Sequence, residues 1–156
     1  MLTPTLTVLA LSAISMALPT ALDKKDTSCQ TPKTFTISRF SKFTPSSSNP
    51  KPAQISFTYS DDSAAVLPTT CLLTGSTSIS DTPVRCANAD VSFLFTDNEL
   101  TVFEKYTACN STENAQVKSK IYIASYCYPS PPQLPLGEGI SCQTPTGSVG
   151  GSLVAA

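Results

Sequence analysis

Val91-Ser92-Phe93-Leu94-Phe95 and Leu100-Thr101-Val102-Phe103-Glu104-Lys105-Tyr106, joined by Thr96-Asp97-Asn98-Glu99, decide the fold class. Two runs rich in β-branched and aromatic residues flank a cluster of turn formers, which is the mark of a β-hairpin. The same period of two returns on either side of it. Thr34-Phe35-Thr36-Ile37-Ser38 places Phe35 and Ile37 on one face and hydroxyls on the other. Ala53 to Tyr59 turns Ile55, Phe57 and Tyr59 inward. Val117 to Cys127 carries Ile121 and Ile123 on one face and Lys118, Lys120, Tyr122 and Tyr126 on the other. A last short strand is expected around Ile140 to Cys142. The Ser/Pro-rich stretch Ser41 to Pro52 reads as a loop, and so does Pro129 to Pro135, because proline cannot donate into a ladder. No helical apolar repeat is sustained beyond the N-terminus, so the chain is expected to be all-β. The architecture expected is a small, disulfide-stapled antiparallel β-barrel, with a β-sandwich as the alternative.

The composition narrows function by exclusion. Charged residues are 13% of the 156, against roughly 25% in an ordinary soluble domain. Hydroxyls fill the gap, with 22 Ser and 21 Thr. A net charge of −1 offers no basic footprint for nucleic acid and no polybasic patch for anionic lipid. The chain contains no His, which removes imidazole general bases, His-activated nucleophiles and histidine-bearing zinc sites. It contains no Trp either, so the best ring for cation–π or sugar stacking is missing. Asp61-Asp62, the conspicuous acidic pair, sits in a turn on neighbouring residues that point apart. Such a pair does not face itself across a glycosidic bond at about 5–9 Å. No catalytic residue, metal site or cofactor is expected.

Residues 1–17 read as a signal peptide. Leu2 to Leu18 is uncharged and shorter than the roughly 20 residues a membrane span needs. Ser15-Met16-Ala17 offers small residues for cleavage, although the n-region lacks Lys and Arg. Residues 18–28 are expected to form a short disordered segment, 29–143 a single β-barrel domain, and 144–156 a flexible C-terminal tail. Export suits the even count of six cysteines, since disulfides persist outside the cell. It also suits the sequon Asn110-Ser111-Thr112, which makes Asn110 an N-glycosylation candidate. Six cysteines allow 15 pairings, and composition does not choose among them.

Several of these motifs together resemble a known family. Cys29 followed by Phe35-Thr36-Ile37-Ser38-Arg39-Phe40, then Ile55-Ser56-Phe57 and Thr70-Cys71, is similar to the opening of the Alternaria major-allergen family of small secreted fungal proteins. The spacing from Cys71 to Cys86, the strand Val91 to Phe95, Tyr126-Cys127 and Ser141-Cys142-Gln143 continue the likeness as far as Gln143. The resemblance implies a compact antiparallel β-barrel with bridges Cys71–Cys86 and Cys127–Cys142. It also implies an allergen or a plant-defence elicitor or effector with no established enzymatic mechanism. Members are described as binding plant defence proteins or small phenolic ligands. Cys109 departs from the pattern: in the allergen the first cysteine links two chains, whereas here Cys29 is expected to pair with Cys109 within one chain, leaving a monomer or a non-covalent dimer. The Pro-rich loop before Cys142 is also longer than the family pattern.

Lys118, Lys120, Tyr122 and Tyr126 are the candidate interaction face, since charge and amphipathic rings on one strand face suit a protein interface. Lysines guarding an edge strand give the same pattern. Two functions are therefore expected. One is an extracellular allergen- or effector-like protein that binds host extracellular defence proteins without catalysis. The other is a carrier of a small apolar or phenolic ligand, which needs a pocket of roughly 300 Å³ or more. An inert cell-wall or surface protein is the weaker alternative.

Overall fold

The computed structural model describes residues 31–63, 66–108 and 114–156. The expected signal peptide, the segment 18–28, Cys29, Cys109 and Asn110 lie outside the described residues.

Alternation becomes strand along most of the described chain. The strands are β1 Thr34–Pro45, β2 Gln54–Asp61, β3 Thr69–Thr74, β4 Ile79–Arg85, β5 Val91–Thr96 and β6 Glu99–Thr107. They continue as β7 Asn114–Tyr122, β8 Tyr126–Ser130, β9 Gly139–Gln143, β10 Ser148–Ser152 and β11 Val154–Ala155. No helix is present among the described residues, and so none is long and apolar enough to cross a membrane. The strands form two antiparallel sheets. One runs β3-β2-β1-β9-β8, with β10 also paired to β1, and the other runs β11-β7-β6-β5-β4.

The long strand β1 organises the first sheet. Phe35 and Ile37 are two residues apart, yet the next inward ring, Phe40, comes three residues later. A β-bulge makes the difference: Ser38 pairs with Thr58 and Ser41 with Ser56, so β1 carries one residue more than β2. Arg39 takes the extra place at φ 56° and donates its N–H to the Gly147 carbonyl at 3.1 Å. The bulge also divides the other edge of β1. β10 pairs with residues 34–38 and β9 with residues 41–45.

The two sheets face each other over an aromatic core. Phe57 meets Phe93 edge to face at 4.9 Å, and Phe40 lies 5.5 Å from Phe95. Ile37, Ile55, Val91, Phe93, Leu100 and Val102 are fully buried. Such rings bury 150–250 Å² each and dominate a core of this size. Two joints connect the sheets at their margins. The Cys71–Cys86 bridge and the bond from the Ala87 N–H to the Thr70 carbonyl tie β3 to the end of β4. On the opposite margin the chain steps from β10 on β1 to β11 on β7. The ladders do not run through either joint, so the architecture lies between the barrel and the sandwich.

Four readings need correction. Residues 144–156 are not a free tail: β10 and β11 pair with β1 and β7, and Leu153 is buried in the core. Gly150 and Gly151 hid this strand, because glycine lacks strand propensity. At Gly151 a side chain would press on Phe35 and Ile121, so close sheet contact requires its absence. The stretch Ser41 to Pro45 belongs to β1 rather than to a loop. Pro129 lies within β8, which is allowed because β8 is an edge strand with one side unpaired. Finally, the run Val117 to Cys127 is two strands, because the chain leaves the second sheet after Tyr122 and enters the first at Tyr126.

Candidate functional site

That crossing divides the candidate face. Lys118, Lys120 and Tyr122 lie exposed on β7, with Tyr122 at 66% of its full accessibility. Tyr126 lies on β8 in the other sheet, where its ring pairs with Tyr128 at 5.9 Å. The structure therefore brings three of the four residues together and assigns the fourth to a different surface.

The β7 residues join partners that alternation alone misassigns. On β6, Thr101 lies opposite Lys120 and Phe103 opposite Lys118, and Val154 of β11 flanks Lys118 from the other side. Phe103 and Leu94 occupy outward positions, between inward-facing neighbours on their strands. Together these residues line a shallow depression of about 390 Å³ bounded by Thr101, Phe103, Lys118, Lys120 and Val154. A second of about 250 Å³ shares Thr101 and Lys120 and extends to Leu94 and Ser80. Lys120 Nζ contacts Glu99 Oε2 at 2.5 Å, so its charge is partly engaged, and Lys118 lies beside Phe103. The arrangement is a mixed patch: aromatic and aliphatic contact area, hydroxyls, and lysines at the margin.

A second groove lies at the far end of the first sheet. Pro45, Pro129, Pro131, Pro132 and Ile140 bound about 640 Å³ there. Asn49 holds the adjoining loop, its side-chain amide donating to the carbonyls of Leu136 and Glu138 at 2.8 and 2.7 Å. Phe35, Ile37, Ile55, Phe57, Val91 and Phe93 are buried between the sheets.

The inward phase of β6 ends on a carboxylic acid. Leu100, Val102 and Glu104 point the same way, and Glu104 is fully buried. Tyr59, also fully buried, crosses from β2 and donates its hydroxyl to Glu104 Oε2. Asp61, two residues further along β2, brings its carboxyl to the Glu104 side chain, and neither Asp61 Oδ1 nor Glu104 Oε1 has a hydrogen-bond partner. Burial chiefly, with the neighbouring Asp61 adding to it, pushes the Glu104 carboxyl up to about 8, while the Tyr59 hydroxyl works against the shift. Burial also raises the Tyr59 phenol well above its ordinary value, reinforced by its bond to Glu104. Asp62 behaves in the opposite way. It accepts the backbone N–H groups of Lys33 and Thr34 at 2.9 and 3.1 Å, and the Lys33 bond chiefly holds its carboxyl below the usual range. The acidic pair thus splits, with Asp61 turned inward and Asp62 pinning the start of β1. Among the described residues no cluster of three or more His, Cys, Asp or Glu could hold a metal ion.

The sequence matches no protein-family model, and no curated protein matches it. The solved structures that share its fold include two crystal structures of the Alternaria alternata allergen Alt a 1. One aligns at a TM-score of 0.57 with 16% identity, over 79% of this chain and 94% of the allergen chain. The other aligns at 0.54 with 17% identity, over 78% and 88%. The two disulfides described in this chain fit an extracellular protein.

Proposed function

We propose that this is a secreted, non-catalytic, allergen-like protein that acts by binding an extracellular protein of its host. The β7–β6 face of the second sheet is the contact surface. The observation that carries the reading is the outward placement of Leu94, Phe103, Tyr122 and Val154 beside Lys118 and Lys120. Apolar groups in the water-facing phase of a strand add nothing to the core, and an aromatic centre with a charged margin is what a protein interface requires. The fold shared with Alt a 1 supports the allergen-like assignment. Export of the chain after removal of residues 1–17, a Cys29–Cys109 bridge within one chain and glycosylation at Asn110 belong to the same reading.

The test is capture from host extracellular fluid with the wild-type protein and a Phe103→Ser, Lys118→Glu variant side by side. The expected result is a specific partner retained by the wild type at micromolar concentration and lost by the double variant. Failure to capture any specific partner, or equal capture by both proteins, sinks the assignment. The ligand-carrier reading has one supporting observation, the proline-lined groove of about 640 Å³. A phenolic ligand would bind there at the surface. A Thr44 or Ile140 NMR shift on titration with a phenol would support that reading.

A further inference from the structure

Glu104 Oε1 and Asp61 Oδ1 are both buried and both lack a hydrogen-bond donor. Tyr59, bonded to the other Glu104 oxygen, stands two residues before Asp61 on the same face of β2, and this brings the Asp61 carboxyl into contact with the Glu104 side chain between the two sheets. Two ionised carboxylates present only acceptors, so this contact requires a proton. No described cation answers the charge instead. From β2 come the Tyr59 hydroxyl, which goes to the other Glu104 oxygen, and Asp61 itself. The turn after β2 adds Asp62, an anion, and Ser63, whose hydroxyl donates to Asp61 Oδ2 at 2.5 Å. Val91 on β5 and Val117 on β7 lie directly beside Glu104, and β1 supplies Phe35, stacked on Tyr59 at 5.8 Å. The described ion pair, Lys120 with Glu99, belongs to the outer face of the sheet.

We propose that Glu104 and Asp61 share one proton, and that this proton is a latch between the two sheets, closed in acid and released as the medium becomes alkaline. In the closed form protonated Glu104 donates from Oε1 to Asp61 Oδ1, while Tyr59 satisfies Oε2. Release sends the proton to solvent and leaves two carboxylates in contact beside Asp62, where low dielectric magnifies their repulsion. The strain falls on the end of β2 and the turn that follows it. An unfolded glutamate ionises near 4.5, against about 8 in the folded chain. Between those values the native state binds one proton more than the unfolded state. Stability from this group is therefore complete below the lower value and lost as pH rises through the upper one. The unfolding equilibrium constant is expected to rise by about tenfold per pH unit across that window.

The experiment compares the full disulfide-bonded chain with Glu104→Gln by denaturant unfolding at several pH values from 5 to 9. It adds a carboxyl carbon-13 NMR titration of the wild type. Glutamine copies the closed form, its amide donating to Asp61 and its carbonyl accepting from Tyr59. The expected result is a wild-type stability that falls over this range, a Glu104→Gln profile that is flat over the same range, and a Glu104 carboxyl resonance that titrates far above the ordinary carboxylate range. If Glu104 titrates near 4 to 5, or if Glu104→Gln keeps the wild-type pH dependence, the latch does not exist. The NMR titration decides the matter should the variant fail to fold.

Discussion

Residues 103 and 104 exchange the places that their polarity would assign them. Along Leu100, Val102 and Glu104 the inward phase delivers an acid to the core, while Phe103 is delivered to the surface. Both stand in the sequence as breaks in the apolar-in, polar-out pattern, and each marks a place where something other than core packing is at work. What the sequence could not supply was the partner. Tyr59 and Asp61 lie more than forty residues away, and only the facing of the sheets brings them to Glu104. Removing the Tyr59 hydroxyl tests the cost of this arrangement. Tyr59→Phe leaves Glu104 Oε2 buried without a donor and is expected to cost about 1–3 kcal/mol in a denaturant titration. It should also move the Glu104 titration upward, because that hydroxyl favours the ionised form.

Among the elements, the β5–β6 hairpin was the most legible. Its turn is tighter than the four-residue cluster suggests. Thr96 pairs with Glu99, and the two residues between them, Asp97 and Asn98, stand at φ 53° and 63°. Asn and Asp tolerate that conformation and set the twist the hairpin needs. Asp97→Val puts a β-branched residue there and is expected to lower stability by about 1–2 kcal/mol, read as a shift in the denaturant midpoint. Asn98 has a second duty. Its carbonyl accepts the Ile123 N–H at 2.7 Å, and its side chain accepts from Lys42 Nζ at 3.3 Å, while that ammonium lies over the Phe95 ring. The turn thereby closes one end of the core. On β9 a comparable constraint falls on Gly139, where a side chain would collide with the Thr44 carbonyl and the Phe43 ring. Gly139→Ala is expected to cost about 1–3 kcal/mol through overpacking, with loss of Phe43 ring dispersion in the NMR spectrum as the local marker. β10 and β11 were illegible for a physical reason. Two glycines and a two-residue ladder carry no hydrophobic pattern, so their pairing is dictated by the edges of β1 and β7.

At the scale of the whole molecule, two disulfides do different work. Cys71–Cys86 joins the margins of separate sheets and is buried at both ends. Cys127–Cys142 links directly opposed residues of one ladder, and Cys127 is exposed. Mild thiol reduction followed by alkylation and mass mapping is expected to open the second bridge before the first. Both close loops of similar length, with a separation of 15 residues, so replacing either pair by serine should cost about 3 kcal/mol in the chain-entropy model. Charge acts on the whole fold from two directions. Asp62, held below its ordinary value, stabilises the fold above the usual aspartate range and ceases to as pH falls through its lowered value. Glu104 stabilises it in acid and ceases to as pH rises toward about 8. Thermal unfolding across pH is therefore expected to show maximal stability in mildly acidic medium, and Asp62→Asn should weaken the decline on the acid side.

The sequence by itself determined the all-β class, the central hairpin and most of the inward residues. These depend on neighbours within a single strand, where a period of two sorts core from surface. It also excluded every chemistry that needs an imidazole. Only the tertiary structure decided that Tyr126 leaves the lysine face, that the C-terminus completes both sheets, and that Asp61 and Asp62 part company. Each of those outcomes depends on which strand edge or sheet face meets which, and such contacts between distant residues leave no local pattern to read.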